Sequence, residues 1–120
     1  MWVGASSVTP TNPAVTWEPA NPSAGGTITV HYDPVPGALA DNTNPVYIHV
    51  GTNNWGSVVA PDPAMTWNAA TSRFDYTYSI PLTATKVDFV FHSAANVWDN
   101  NGGADWHVNV SGAVSPPHTI

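Results

Sequence analysis

The sequence predicts an all-β domain, a two-sheet antiparallel β-sandwich of immunoglobulin-like type. Three observations carry that expectation. Apolar and polar residues alternate in several separate stretches, the period-2 pattern of half-buried strands. Turn-forming residues punctuate those stretches at Gly25-Gly26, Pro34 and Pro36, Pro61 and Pro63, and Gly102-Gly103. Twelve prolines argue against long helices, because an interior proline removes a backbone donor and clashes with the preceding turn. About seven short strands with turns between them fit two packed sheets.

The elements follow in chain order. A short candidate strand runs through Val15 and Trp17. Ile28, Val30 and Tyr32 then alternate with Thr27, Thr29 and His31. Val46, Ile48 and Val50 alternate with Tyr47 and His49. A second short candidate lies around Met65 and Trp67. Phe74, Tyr76, Tyr78 and Ile80 alternate with Asp75, Thr77 and Ser79. Val87, Phe89 and Phe91 give another apolar face, and Trp106, Val108 and Val110 the last. By this parity Trp17 and Trp106 belong to the core, while His49 points away from it. His31 and His107 face outward, His92 ends a strand, and none of these three is expected to act specifically. The role of Trp67 stays open.

The body spans residues 14–111 and fits one domain. Residues 1–13 are Thr/Pro-rich and uncharged and read as an extended linker; residues 112–120 read as a second linker or tail. Frayed termini would have the same composition. No basic region follows Met1, so any export signal is expected upstream, and the expected location is extracellular.

Composition excludes several function classes. The chain has no cysteine, hence no disulfide and no thiol-based metal or redox site. Arg73 and Lys86 are the only basic side chains among eight carboxylates, and the net charge is −6. Phosphate backbones and anionic lipid surfaces would be repelled, so neither nucleic acid nor membrane is an expected partner. Charged residues make up 8% of the chain, and Thr, Asn, Ser and Pro supply its solubility. Such a neutral, hydrogen-bonding surface suits a polysaccharide binder.

Two segments concentrate the chemistry. One is His49-Val50-Gly51-Thr52-Asn53-Asn54-Trp55-Gly56, the other Val97-Trp98-Asp99-Asn100-Asn101-Gly102-Gly103. Each sets a tryptophan beside asparagine and glycine, in stretches that read as loops. A flat apolar ring flanked by amide donors and acceptors matches a sugar, which has an apolar C–H face and a rim of hydroxyls.

These elements resemble the starch-binding carbohydrate-binding modules of families 25 and 53, which accompany bacterial amylases and plant starch synthases. The resemblance covers roughly residues 14–111. It rests on the His-x-Gly-x-x-x-Trp spacing from His49 to Trp55 and on Trp98-Asp99-Asn100-Asn101-Gly102 ahead of a final aromatic strand. It implies glucan contacts from His49, Trp55 and Trp98, and a sugar hydroxyl bonded by Asn100 or Asn101. It further implies a monomeric, cofactor-free binding module, tethered to an amylase-type catalytic domain and bound to starch and maltooligosaccharides. The sequence departs from the pattern at Asp105, where Asn is common, and at Val50, where an aromatic or small residue often follows the His.

Three rival readings stand beside this one. Asp99, Asn101 and Asp105 sketch a calcium loop, which would make binding of another polysaccharide calcium-dependent. Val110 stands where an EF-hand count requires Glu, and an Asx turn explains the same residues. Catalysis needs an acid/base pair of carboxylates, and none is identifiable, so no catalytic residue is assigned. A structural spacer of fibronectin type would share the fold without exposed tryptophans.

Overall fold

The computed structural model describes residues 14–39 and 45–114. The N-terminal linker expectation, Trp2 and His118 lie outside the described residues. Among the described residues nine strands follow one another: β1 (Val15–Glu18), β2 (Thr27–Tyr32), β3 (Val46–Thr52), β4 (Ser57–Val58), β5 (Thr66–Asn68), β6 (Arg73–Ser79), β7 (Lys86–Ser93), β8 (Trp98–Asp99) and β9 (Trp106–Asn109). They form two antiparallel sheets. One has the order β1-β2-β6-β5; the other runs β4-β3-β7-β8, with β9 also paired to β7. This is the strand order of an immunoglobulin-type sandwich with β4 added at one edge.

The alternation expected from sequence sets the core. Ile28, Val30 and Tyr32 face Tyr78, Tyr76 and Phe74 across the β2–β6 ladder. Val46, Ile48 and Val50 face Ser93, Phe91 and Phe89 across β3–β7. All six of the β2 and β3 side chains among these are fully buried. Trp106 is buried and stacks parallel to Phe89 with centroids 6.2 Å apart. Trp17 is partly buried and meets Phe89 edge-on at 5.9 Å, so it covers the core rather than sitting inside it.

Two short strands, β4 and β8, lie within or beside stretches that read as loops. The hairpin joining β3 to β4 is tight enough that Gly51 is required: a Cβ there would collide with the Ser57 carbonyl. Beyond β4 the edge leaves the ladder. The Val59 amide still bonds the Val50 carbonyl, and pairing resumes with Ile48 N–H to the Pro63 carbonyl at 3.0 Å. Residues 60–63 therefore stand opposite Ile48 and His49 alone. On the far side of β7, Asp99 faces Phe91 and Trp106 faces Phe89, so residues 100–105 stand opposite Val90 alone. His49 and Val90 are themselves paired across β3–β7. Both edges of the sheet thus open at one rung.

Asp99 turns inward and ties the sheets together. Its Oδ2 accepts the Tyr32 hydroxyl at 2.7 Å and the Ala38 amide at 2.9 Å. Burial, and then the bond to Asp99, pushes the Tyr32 hydroxyl pKa far above its usual value. The hydroxyl in turn accepts the Leu39 amide.

Candidate functional site

The outer face of the β4-β3-β7-β8 sheet carries a continuous run of rings at the open rung. Tyr47 stacks on His92 at 5.2 Å, and His92 lies against Trp98 at 4.3 Å. His49 meets Trp98 edge-on at 6.1 Å and stacks on Trp55 at 5.2 Å. The edge of this run is closed by His107, 6.5 Å from Trp55. Strand register explains the convergence. Tyr47 faces His92, and His92 faces Trp98, so the three lie side by side on three adjacent strands.

The loops deliver the rest. Asn53, Asn54 and Trp55 follow one another in the left-handed region, with φ of 56°, 60° and 67°. Asparagine tolerates this conformation; for tryptophan it is a genuine outlier. The turn is held from below. Asn53 Oδ1 accepts the Thr85 amide at 2.7 Å, and Asp88 Oδ2 accepts the Trp55 amide at 2.8 Å. Asp88 is fully buried although it lies on the outer face, and its Oδ1 takes His107 Nδ1 at 2.5 Å. The Trp55 indole N–H donates to Asp105 Oδ2 at 3.3 Å. The departure at Asp105 therefore supplies an acceptor for Trp55 rather than a loose surface charge.

Trp98 is 46% exposed, whereas Trp55 is half-buried and packs against the core. Trp55 therefore has a packing role as well as an exposed part. The His49 plane lies 26° from Trp55 and 82° from Trp98, so the two indoles are steeply inclined to each other.

Asn100 and Asn101 sit in the excursion of residues 100–105, which includes a single 3₁₀ turn, Asn101–Gly103. Asn100 is exposed and caps the turn, its Oδ1 accepting the Gly103 amide. Its Nδ2 meets no partner among the described residues. Asn101 donates its side-chain amide to the Asp105 carbonyl at 3.1 Å. The calcium reading loses Asp99, whose Oδ2 points inward and whose Oδ1 accepts the Asn101 amide. Among the described residues no group of three or more His, Asp or Glu side chains is arranged to hold a metal ion.

The structure places His49, Trp55 and Trp98 side by side, and their supports are what sequence reasoning missed. Two histidines from which the sequence led us to expect nothing specific, His92 and His107, make contacts at this face. Each also contacts a carboxylate. The parity of Phe91 already put His92 and Asp88 on the outer face, which was the available signal. Asp62 gave none. It lies between two prolines in the residue 60–63 excursion, yet its carboxylate bridges His49 Nδ1 and His92 Nε2, at 2.8 Å each.

The chain is 32% identical over 110 residues to soluble starch synthase 3 of Solanum tuberosum, and 35% identical over 107 residues to soluble starch synthase 3a of Oryza sativa subsp. japonica. These matches cover 86% and 83% of this chain but 9% and 6% of those proteins. An alpha-amylase of Clostridium acetobutylicum is 32% identical over 94 residues, covering 78% of this chain and 12% of that protein. The chain therefore spans between 6% and 12% of the length of these curated relatives. No protein-family model matches it. No solved structure is significantly similar.

Proposed function

We propose that the ring array on the outer face of β3, β7 and β8 binds α-1,4-glucans such as starch, glycogen and maltooligosaccharides. The chain would act without bond cleavage, as a module that holds an amylase-type enzyme on its substrate. The observation that carries this reading is the half-exposed Trp98, backed by His92 and set steeply to the His49–Trp55 stack. A curved glucan presents successive sugar faces at different angles, and inclined rings suit it better than a flat cellulose chain. Asn100 Nδ2 lies in the same excursion as a donor for a hydroxyl. The segments matched in starch synthases and an amylase, each a small part of a larger enzyme, support the same reading.

The carboxylates near the face have other tasks. Asp62 bridges two histidines, Asp88 is buried beneath Trp55, and Asp105 receives the Trp55 indole. A glycosidase needs two carboxyl groups flanking an open scissile bond. Stacking alone sets a scale for affinity. An indole covering about 100 Å² of sugar surface contributes roughly 2 to 3 kcal/mol at ~25 cal/mol per Å². Two such rings must offset the loss of free motion on association, so the dissociation constant should fall at about 10 µM to 1 mM. Attachment to an enzyme raises the effective concentration and compensates for that weakness.

Affinity electrophoresis against starch, glycogen, pullulan and cellulose tests the reading. Retardation in the α-glucan gels and free migration in cellulose are expected. Retardation in cellulose alone would overturn it, free migration in all four would favour a spacer, and starch hydrolysis would make the chain an enzyme.

A further inference from the structure

The contact between Asp62, His49 and His92 has a proton arithmetic that geometry alone decides. His92 Nδ1 lies 2.9 Å from the Ser93 carbonyl oxygen, which can only accept. That nitrogen carries hydrogen. His92 Nε2 lies 2.8 Å from Asp62 Oδ2. A bare imidazole nitrogen facing an ionised carboxylate would set lone pair against lone pair. One proton must therefore lie in the His92–Asp62 contact, on one partner or the other. In either form Asp62 Oδ1 remains an acceptor, so His49 Nδ1 is its donor at 2.8 Å. A neutral His49 then has a bare Nε2, which meets no partner among the described residues.

We infer that Asp62 is a positioning residue of this face: it fixes His49 in the Nδ1–H form, leaving Nε2 as an acceptor for a sugar hydroxyl. The same carboxylate holds His92 as the plate behind Trp98. This inference rests on the glucan-binding reading for its ligand, though not for the proton positions. The surroundings leave Asp62 as the group that sets them. His49 otherwise touches Trp55 and Trp98, and His92 touches Tyr47 and Trp98. Asp88 and His107 nearby are bonded to each other. The local fold delivers Asp62 to this point. Because residues 60–63 leave the ladder opposite His49, a side chain from the neighbouring edge reaches across the outer face to both rings.

Two substitutions separate charge from position. In Asp62→Asn, Oδ1 still accepts from His49 Nδ1, while Nδ2 donates to a bare His92 Nε2. All groups are satisfied with both histidines neutral. Asp62→Ala removes both contacts. The measurement pairs ring-nitrogen NMR of His49 and His92 with calorimetry using maltoheptaose. In the unmodified chain His49 should show a protonated Nδ1 and a bare Nε2. It should keep that form in Asp62→Asn and revert to the mixture of a free imidazole in Asp62→Ala. Asp62→Ala should weaken maltoheptaose binding about tenfold, the loss of one ordered hydrogen bond. Asp62→Asn should recover affinity to within about threefold.

The inference is overturned if His49 carries its proton on Nε2, if Asp62→Ala binds as tightly as the unmodified chain, or if Asp62→Asn loses as much as Asp62→Ala. If the unmodified chain binds no maltoheptaose, the glucan reading fails, while the ring nitrogens still decide the role of Asp62.

Discussion

The two outer faces of this sandwich use the same polar parts to different ends. On the β1-β2-β6-β5 sheet, His31 bridges Asp75 at 2.6 Å and Glu18 at 3.0 Å, and Asn68 donates to the other oxygen of Asp75. These side chains form a ladder across all four strands. No ring-to-ring contact joins His31 among the described residues. On the opposite sheet the His–Asp contacts stand among indoles. A His–carboxylate contact thus ties strands together on one sheet and holds aromatic rings in place on the other. The two half-exposed tryptophans teach the same lesson. Trp67 is 49% exposed and Trp98 46%, so exposure does not distinguish them. Trp67 rests edge-on against Phe74 at 4.9 Å on an edge strand, whereas Trp98 is backed by His92 and flanked by His49.

The comparison breaks or holds most visibly at those two rings. Trp98→Ala should lower maltoheptaose affinity by roughly 2 to 3 kcal/mol, the full value of one stacking surface. Its stability should stay within about 1 kcal/mol of the unmodified chain, as for a surface side chain. Trp67→Ala should leave affinity unchanged in the same calorimetric titration; a matching loss there would place a second glucan site on the other sheet.

Trp55→Ala should show a mixed effect. Loss of its ring should weaken binding by about 1 to 2 kcal/mol, since part of its surface already faces the protein. It should also destabilise the fold by roughly 1 to 3 kcal/mol, because the indole packs on the core and donates to Asp105. Chemical denaturation beside calorimetry separates the two. An unfolded Trp55→Ala chain would make that residue a packing element alone.

The smallest effect concerns the His31 ladder on the other sheet. Burial lowers the pKa of His31, but its bonds to Asp75 and Glu18 outweigh that and the net shift is upward from 6.5. Burial raises that of Asp75, yet the bonds from His31 and Asn68 outweigh it and the net shift is downward from 3.8. The His31 contribution is therefore complete below pH 6.5 and fades as pH rises through the higher folded value. The Asp75 contribution is complete above pH 3.8 and fades as pH falls through the lower folded value. His31→Gln should lower thermal stability between pH 3.8 and 6.5 and remove the decline above pH 6.5, by less than about 1 kcal/mol given the exposure of Glu18. Maltoheptaose affinity should not follow that change.

Much of this was legible in the sequence, for stated reasons. Strands β2, β3, β6, β7 and β9 announced themselves because a half-buried strand must alternate. The parity of Ile48 and Val50 put His49 outside. The Asn-Asn-Trp and Trp-Asp-Asn-Asn-Gly segments marked the two loops that meet it. Strands β4 and β8 have two residues each, too few for any period to show. The common rung at which both edges open depends on cross-strand register, which no single stretch encodes. Asp62 and His107 join the site only through that register, and Asp99 left its loop for the core because Tyr32 stands across from it.

The central claim, that glucan binds on the outer face of β3, β7 and β8 at the His49–Val90 rung, is tested most directly by a residue-resolved NMR titration with maltoheptaose. The account predicts saturable shifts at Trp98, His49, Trp55 and Asn100, with His31, Asp75 and Trp67 unmoved. Shifts confined to the β1-β2-β6-β5 face, or none at millimolar sugar, would contradict it.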